Sequence, residues 1–142
     1  MQLVDANVLL YAVNVDARHH ERSRRWLDGA LSGADTVAFA WIALLAFVRL
    51  STKLGLFPSP LSVGEAMDRA EAWLAAEPAV VVEPTADHAG IVRRLLASVG
   101  TGGNLVNDAH VAALSIEHRC GIVSFDNDFA RFDGVRWSPP GA

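Results

Sequence analysis

The sequence holds a single cysteine, a single tyrosine and two methionines. The lone Cys120 rules out a disulfide within the chain, so the fold shows no dependence on an oxidising compartment. Positive charge is also short. Twelve Lys and Arg face 16 Asp and Glu, for a net charge of −4. That balance argues against broad electrostatic adhesion to nucleic acid, although a local basic groove can exist within it. No apolar run approaches the roughly 20 residues of a membrane span. The most apolar stretch, Trp41 to Val48, is closely followed by Arg49 and Lys53. At the start, Gln2-Leu3-Val4-Asp5 reads as a strand with no basic region before it. No signal peptide or membrane association is therefore expected, and the expected location is the cytoplasm. There is no Gly-x-Ser-x-Gly elbow, no Gly-rich phosphate loop with lysine and no supported Cys–His pair. Internal repeats, low-complexity tracts and interdomain linkers are absent too. The expectation is one domain over residues 1–142. A domain of this size buries roughly 68–70% of its unfolded surface.

What is present is alternation. Leu3-Val4 begins a short buried strand that Asp5-Ala6-Asn7 interrupts. Val8 to Val13 is apolar, and its periodicity does not separate helix from strand. Arg18 to Leu31 reads as a helix with Trp26, Leu27, Ala30 and Leu31 inward. Its outer face carries Arg18, Arg22, Arg24 and Arg25, with His19 and His20 beside them. This basic run reads either as a solvated helix face or as a contact for RNA phosphate or a partner. Thr36 to Phe39 is the next strand, and Trp41 to about Lys53 is a strongly buried helix. Ser62-Val63-Gly64-Glu65 has the spacing of a capping box and starts another helix. Val80-Val81-Val82 is a β-branched run of the kind buried on both faces of a parallel sheet. Thr85 is placed to cap a helix that Gly100 closes. A further helix carries Asp108 and runs to about His118, with Gly121 at its end. Ile122-Val123-Ser124 is a strand, and Val135-Arg136-Trp137 a short terminal one. Strands alternating with helices predict a three-layer α/β/α sandwich with a mainly parallel sheet.

Acidic residues stand where these elements begin and end. Asp5 ends the first strand, Asp108 opens a helix, and Asp126 and Asp128 follow a late strand. In an open α/β fold, ligands bind at the carboxyl ends of the strands, so these four can converge. Two carboxylates about 4 Å apart repel by roughly 4 kcal/mol at an effective dielectric near 20. A buried cluster of this kind needs protons, a cation or a basic side chain. An all-oxygen site suits Mg²⁺ or Mn²⁺ better than Zn²⁺. On helical spacing Glu117 and His110 point away from Asp108, so His110 is read as structural or surface rather than catalytic.

The sequence here resembles a known family. Val4-Asp5-Ala6-Asn7-Val8-Leu9-Leu10 looks like the opening motif of PIN-domain nucleases. Asn107-Asp108-Ala109-His110-Val111-Ala112-Ala113-Leu114 looks like their third acidic motif, and Val123-Ser124-Phe125-Asp126-Asn127-Asp128-Phe129 like their closing one. The lead-in Thr101-Gly102-Gly103-Asn104-Leu105 resembles VapC-type toxins of bacterial toxin–antitoxin pairs. The resemblance implies a Mg²⁺- or Mn²⁺-dependent endoribonuclease acting on RNA, a homodimer and a cognate antitoxin. It makes Asp5, Asp108 and Asp126 metal ligands and lets Asp128 assist through water. It also makes Asn7 and Ser124 supports that orient the carboxylates. One position departs from the family pattern: Ala46 stands where many members carry a glutamate. That leaves open a different reading, a non-catalytic module whose acidic pocket captures a partner's arginine. Trp26, Trp41 and Phe47 are the residues that could line a partner groove.

Overall fold

The computed structural model describes residues 1–141. Each strand is short because each apolar run is short, and every strand is followed by a helix or turn. β1 (Gln2–Val4) leads into α1 (Ala6–Val13), α2 (His20–Leu31) and β2 (Val37–Phe39). Then come α3 (Trp41–Ser51), α4 (Val63–Ala75), β3 (Ala79–Val81), α5 (His88–Val99) and α6 (Leu105–Glu117). β4 (Gly121–Val123), a 3₁₀ helix (Asn127–Arg131) and β5 (Trp137–Ser138) complete the order. The five strands form one sheet in the order β3-β2-β1-β4-β5, with every pairing parallel.

Strand alternation divides the core in two. Leu3, Ala38 and Ile122 point to one face, where Leu95, Leu105, Ala109, Ala112 and Phe129 pack on them. Val4, Val37, Phe39 and Val123 point to the other, against Val8, Leu9, Leu27, Leu44, Phe47 and Trp73. Helices α5 and α6 cover the first face, and α1 to α4 the second. This is the α/β/α sandwich expected from the alternation, with the sheet wholly parallel.

Local chemistry explains most of the boundaries. The run Val8 to Val13, ambiguous by pattern, is helical because Asp5 caps it: its carboxylate accepts from the Ala6 N–H at 2.9 Å. Ser62 and Glu65 make the reciprocal capping box at the start of α4. Gly100 ends α5 in the left-handed conformation at φ 73°.

Several expectations need correction. α2 starts at His20 rather than Arg18. α5 starts at His88, and Thr85 shapes the preceding turn by accepting from the Asp87 N–H at 3.2 Å. α6 is ended by Arg119, at φ 54°, while Gly121 opens β4. The Val80–Val82 run is not buried on both faces. It contributes the outermost strand β3, paired only to β2, and Val80 and Val81 are each 40% exposed. A β-branched run marks a strand, but not its place in the sheet. Phe47 lines no surface groove: it is fully buried, edge-on to Trp73 at 4.8 Å.

Candidate active site

β1 sits in the middle of the sheet. The chain first builds to one side of it through β2 and β3, then to the other through β4 and β5. The boundary between β1 and β4 is the point where the winding reverses, and clefts form there at the carboxyl ends of the strands. Asp5 follows β1, and Ser124, Phe125 and Asp126 follow β4. The Asp5 N–H donates to the Val123 carbonyl at 3.0 Å, so the two strand ends are locked side by side.

Ser124 is fully buried, and its hydroxyl organises this corner. It donates to Asp5 Oδ2 at 2.6 Å and accepts from Asn7 Nδ2 and the Asp126 N–H, each at 3.0 Å. Asn7 also donates to Asp5 Oδ2 at 3.3 Å and accepts from the Phe125 N–H at 3.1 Å. Asp126 caps the 3₁₀ helix by accepting from the Asp128 N–H at 2.9 Å. Asp108 arrives from the first turn of α6, where Ala109, Ala112 and Ala113 are fully buried and let the helix approach the sheet.

The carboxylates do converge, in an arrangement that sequence spacing could not resolve. Oxygens of Asp108, Asp126 and Asp128 lie within 4.8 Å of one another. Asp5 stands next to this trio rather than inside it, with both its oxygens engaged by Ala6, Asn7 and Ser124. It shares with Asp108 a small cavity of about 150 Å³, lined also by Ala6, Ile42, Ala43, Ala46, Asn107 and Val111. Ala46, on α3, therefore faces the same space as the two aspartates.

Crowding shows in the acidities. Burial, then Asp126, Asp5 and Asp128 in that order, raise the Asp108 carboxyl from its ordinary 3.8 to about 6. Burial also pushes Asp5 above its usual range, helped by Asp126 and opposed by hydrogen bonds from Ser124 and Ala6. No lysine or arginine lies within ion-pair distance of these aspartates among the described residues. A hard divalent cation is the group that this donor set fits: three convergent carboxylates, no sulfur and no imidazole. Larger hollows exist elsewhere, about 490 Å³ beside Arg22 and Trp26 and about 470 Å³ near Met1 and Thr36. Neither holds an acidic cluster.

Glu117 and His110 are elsewhere. The Glu117 side chain is 1% exposed and accepts from Thr85 N–H at 2.8 Å, Thr85 Oγ1 at 2.6 Å and His88 Nδ1 at 2.5 Å. His88 Nε2 meets His110 Nδ1 at 2.8 Å. Burial opposes ionisation of Glu117, but the bonds from Thr85 and His88 outweigh it and hold the carboxyl below its usual range. This network fastens α5 to α6. Pattern-reading assigned His110 a structural role but missed its partners, because His88 and Thr85 come from a separate stretch.

Fold and site define a class: an open, all-parallel α/β protein with an aspartate cluster at the switch point of its sheet. The PIN domain family matches residues 3–135. The chain belongs to that family, among its VapC ribonucleases. It is 64% identical over 142 residues to ribonuclease VapC37 of Mycobacterium tuberculosis, covering 100% of this chain and 99% of that protein. Ribonuclease VapC31 of the same organism is 36% identical over 140 residues, covering 99% of each. Among solved structures, VapC20 of Mycobacterium tuberculosis, a toxin that cleaves the sarcin–ricin loop, superposes with a TM-score of 0.70 at 19% identity. That match covers 96% of this chain and 99% of the other. VapBC2 of Rickettsia felis, bound to a DNA fragment from its promoter, gives 0.69 at 17% identity, covering 97% of each chain. These two structures share the fold.

Proposed function

We propose that the chain is a Mg²⁺- or Mn²⁺-dependent endoribonuclease, the toxin of a toxin–antitoxin pair, working as one PIN domain in the cytoplasm. The observation that carries this reading is the convergence of Asp108, Asp126 and Asp128 beside Asp5 at the end of the sheet. Asp108, Asp126 and Asp128 would grip the cation, with Asp5 at the edge of the same cavity. When bound, such a cation acidifies water and offsets negative charge on a phosphodiester. The chain's residues do the rest. Ser124 and Asn7 fix the Asp5 carboxylate and the Asp126 backbone, so the acidic groups are held in place before substrate arrives. Burial and the neighbouring carboxylates raise the Asp108 pKa in the metal-free site, so a cation held there would relieve that repulsion.

RNA is the proposed substrate, and a cognate antitoxin and a second copy of the chain are the proposed partners. Exposed Trp41 and Leu45, one helical turn apart on α3, and exposed Leu54 just beyond it offer the apolar surface that such contacts use. No helix among the described residues is long and apolar enough to cross a membrane.

Ala46 supports a second reading. A cavity short of one carboxylate could hold a partner's arginine instead of catalysing. Incubation of the purified protein with a mixed RNA pool separates the two. Cleavage that needs Mg²⁺ or Mn²⁺ and stops on chelation supports the nuclease; intact RNA with both metals supports the binding module.

A further inference from the structure

Arg22 departs from the other arginines of α2. Arg24 is paired with Glu21 at 2.8 Å and Asp28 at 3.3 Å, and Arg25 lies 3.5 Å from Glu21. Among the described residues, Arg22 has no acidic group within ion-pair distance. It is nevertheless held. Its Nε donates to the Pro140 carbonyl at 2.5 Å, and its guanidinium carbon sits 5.9 Å from the centre of the Phe125 ring. These contacts use one N–H of an exposed side chain, and among the described residues the terminal amino groups have no hydrogen-bond partner.

Phe125 joins this arginine to the acidic site. It stands between Ser124 and Asp126, and its N–H is fixed by Asn7. The His19 ring stacks on it with centroids 4.3 Å apart and planes at 10°, and Tyr11 closes the cluster 5.6 Å from Phe125. Beyond Arg22 lies the hollow of about 490 Å³ lined by Glu21, Arg25, Trp26 and Gly141. Rings and a cation therefore adjoin the segment that carries Asp126, and Arg22 also lines the hollow on α2.

A polyanion approaching a chain of net charge −4, toward four aspartates, meets repulsion unless a cation receives it. A planar guanidinium suits a phosphate, and flat rings beside it suit an unstacked base. We propose that His19, Arg22 and Phe125 form the subsite for the nucleotide next to the cleaved phosphate. Arg22 takes a backbone phosphate of single-stranded RNA, and the base stacks on His19, which Phe125 backs. An acidic peptide would use the charge of Arg22 but has no need of the stacked rings. The proposal rests on the ribonuclease reading, and the test keeps the two apart.

The probe is a fluorescein-labelled, random-sequence single-stranded RNA. Its binding to the full chain is followed by anisotropy with divalent cations chelated, across a salt series, and its cleavage is followed with Mg²⁺ present. Arg22→Ala should weaken binding about tenfold, the loss of one charge-assisted hydrogen bond. It should also reduce the salt slope by about 0.7, one phosphate contact on a single strand. KM should rise by the same factor, with kcat within about twofold of the original. Arg22→Lys should restore the slope but only part of the affinity, because a point charge lacks the fork. His19→Ala should weaken binding about fivefold or more with the slope unchanged, since stacking is not ionic. Arg24→Ala serves as the control.

If Arg22→Ala binds RNA like Arg24→Ala, the subsite is refuted. If it binds RNA normally but loses affinity for the cognate antitoxin, the patch is a protein contact and the subsite is again refuted. Wild-type protein that binds the probe with these variant effects and never cuts it supports the subsite and overturns the nuclease reading. Should Arg22→Ala fail to fold, as a thermal melt shows, Arg22→Lys and His19→Ala decide by the same criteria.

Discussion

Replacing Asp108 with asparagine should stabilise the metal-free protein while ending its activity. Burial and three neighbouring carboxylates raise this carboxyl from 3.8 to about 6. Full ionisation against that bias would cost roughly 3 kcal/mol. Asp108 is only partly buried, so solvent screening reduces the figure to about 1–2 kcal/mol. The sign follows from proton counting. Between pH 3.8 and about 6 the folded carboxyl keeps its proton while the unfolded one has released it. The folded state thus binds more protons, and stability falls as pH rises through that window. The penalty is absent below it and complete above it. Asparagine has nearly the same shape and no charge. At about pH 8 and without divalent cations, Asp108→Asn should gain about 1–2 kcal/mol, or roughly 3–6 °C in melting temperature. At about pH 4 the gain should vanish. Mg²⁺ should raise the melting temperature of the original chain more than that of the variant, because binding to the folded state stabilises it. Thermal melts at the two pH values, with and without Mg²⁺, supply the numbers, and an RNA cleavage assay supplies the activity. A gain of equal size at both pH values would refute the reasoning, since the stabilisation would then owe nothing to charge. Retained cleavage by the folded variant would remove Asp108 from the site.

Other substitutions probe the surroundings of the cluster. Ala46→Glu places a carboxylate in the cavity shared by Asp5 and Asp108; the metal-free protein should melt lower and Mg²⁺ should bind tighter, and a lower melt without tighter binding in a metal titration would show that the side chain does not reach the cation. Ser124→Ala removes the hydroxyl that serves Asp5, Asn7 and Asp126 at once; urea unfolding should show a loss of about 1–3 kcal/mol, and metal affinity should fall about 10- to 100-fold. Glu117→Gln disturbs the acceptor of three hydrogen bonds at the α5–α6 seam; it should cost about 1–3 kcal/mol, and a cleavage assay should find kcat unchanged.

The sheet and most helices were legible because their signals are local. Alternating short apolar runs and long amphipathic ones require a layered α/β fold, and Ser62 with Glu65 marks a helix start within four residues. The candidate carboxylates were legible for a similar reason: each stands beside its own strand or helix end. Their grouping was not, since it depends on how α6 and the 3₁₀ helix lie over the sheet. Hence Asp128 rather than Asp5 completes the trio of close oxygens. The place of β3 at the rim was hidden because strand order leaves no trace in a β-branched run. The stacking of His19 on Phe125 and the Glu117–His88–His110 chain join residues far apart in sequence and too few to make a pattern.

The order of the strands also bears on when the protein can act. β4, which pairs directly with the central β1, begins only at Gly121, and Asp126 and Asp128 come after it. A chain still being synthesised can already have made β1, β2, β3 and the Asp108 helix. The middle of its sheet is then open on one side, and two of the three clustered aspartates do not yet exist. Under the proposed reading, the set of carboxylates that would hold the cation is completed only after β4. A chain that stops before β4 therefore lacks two of the three close carboxylates.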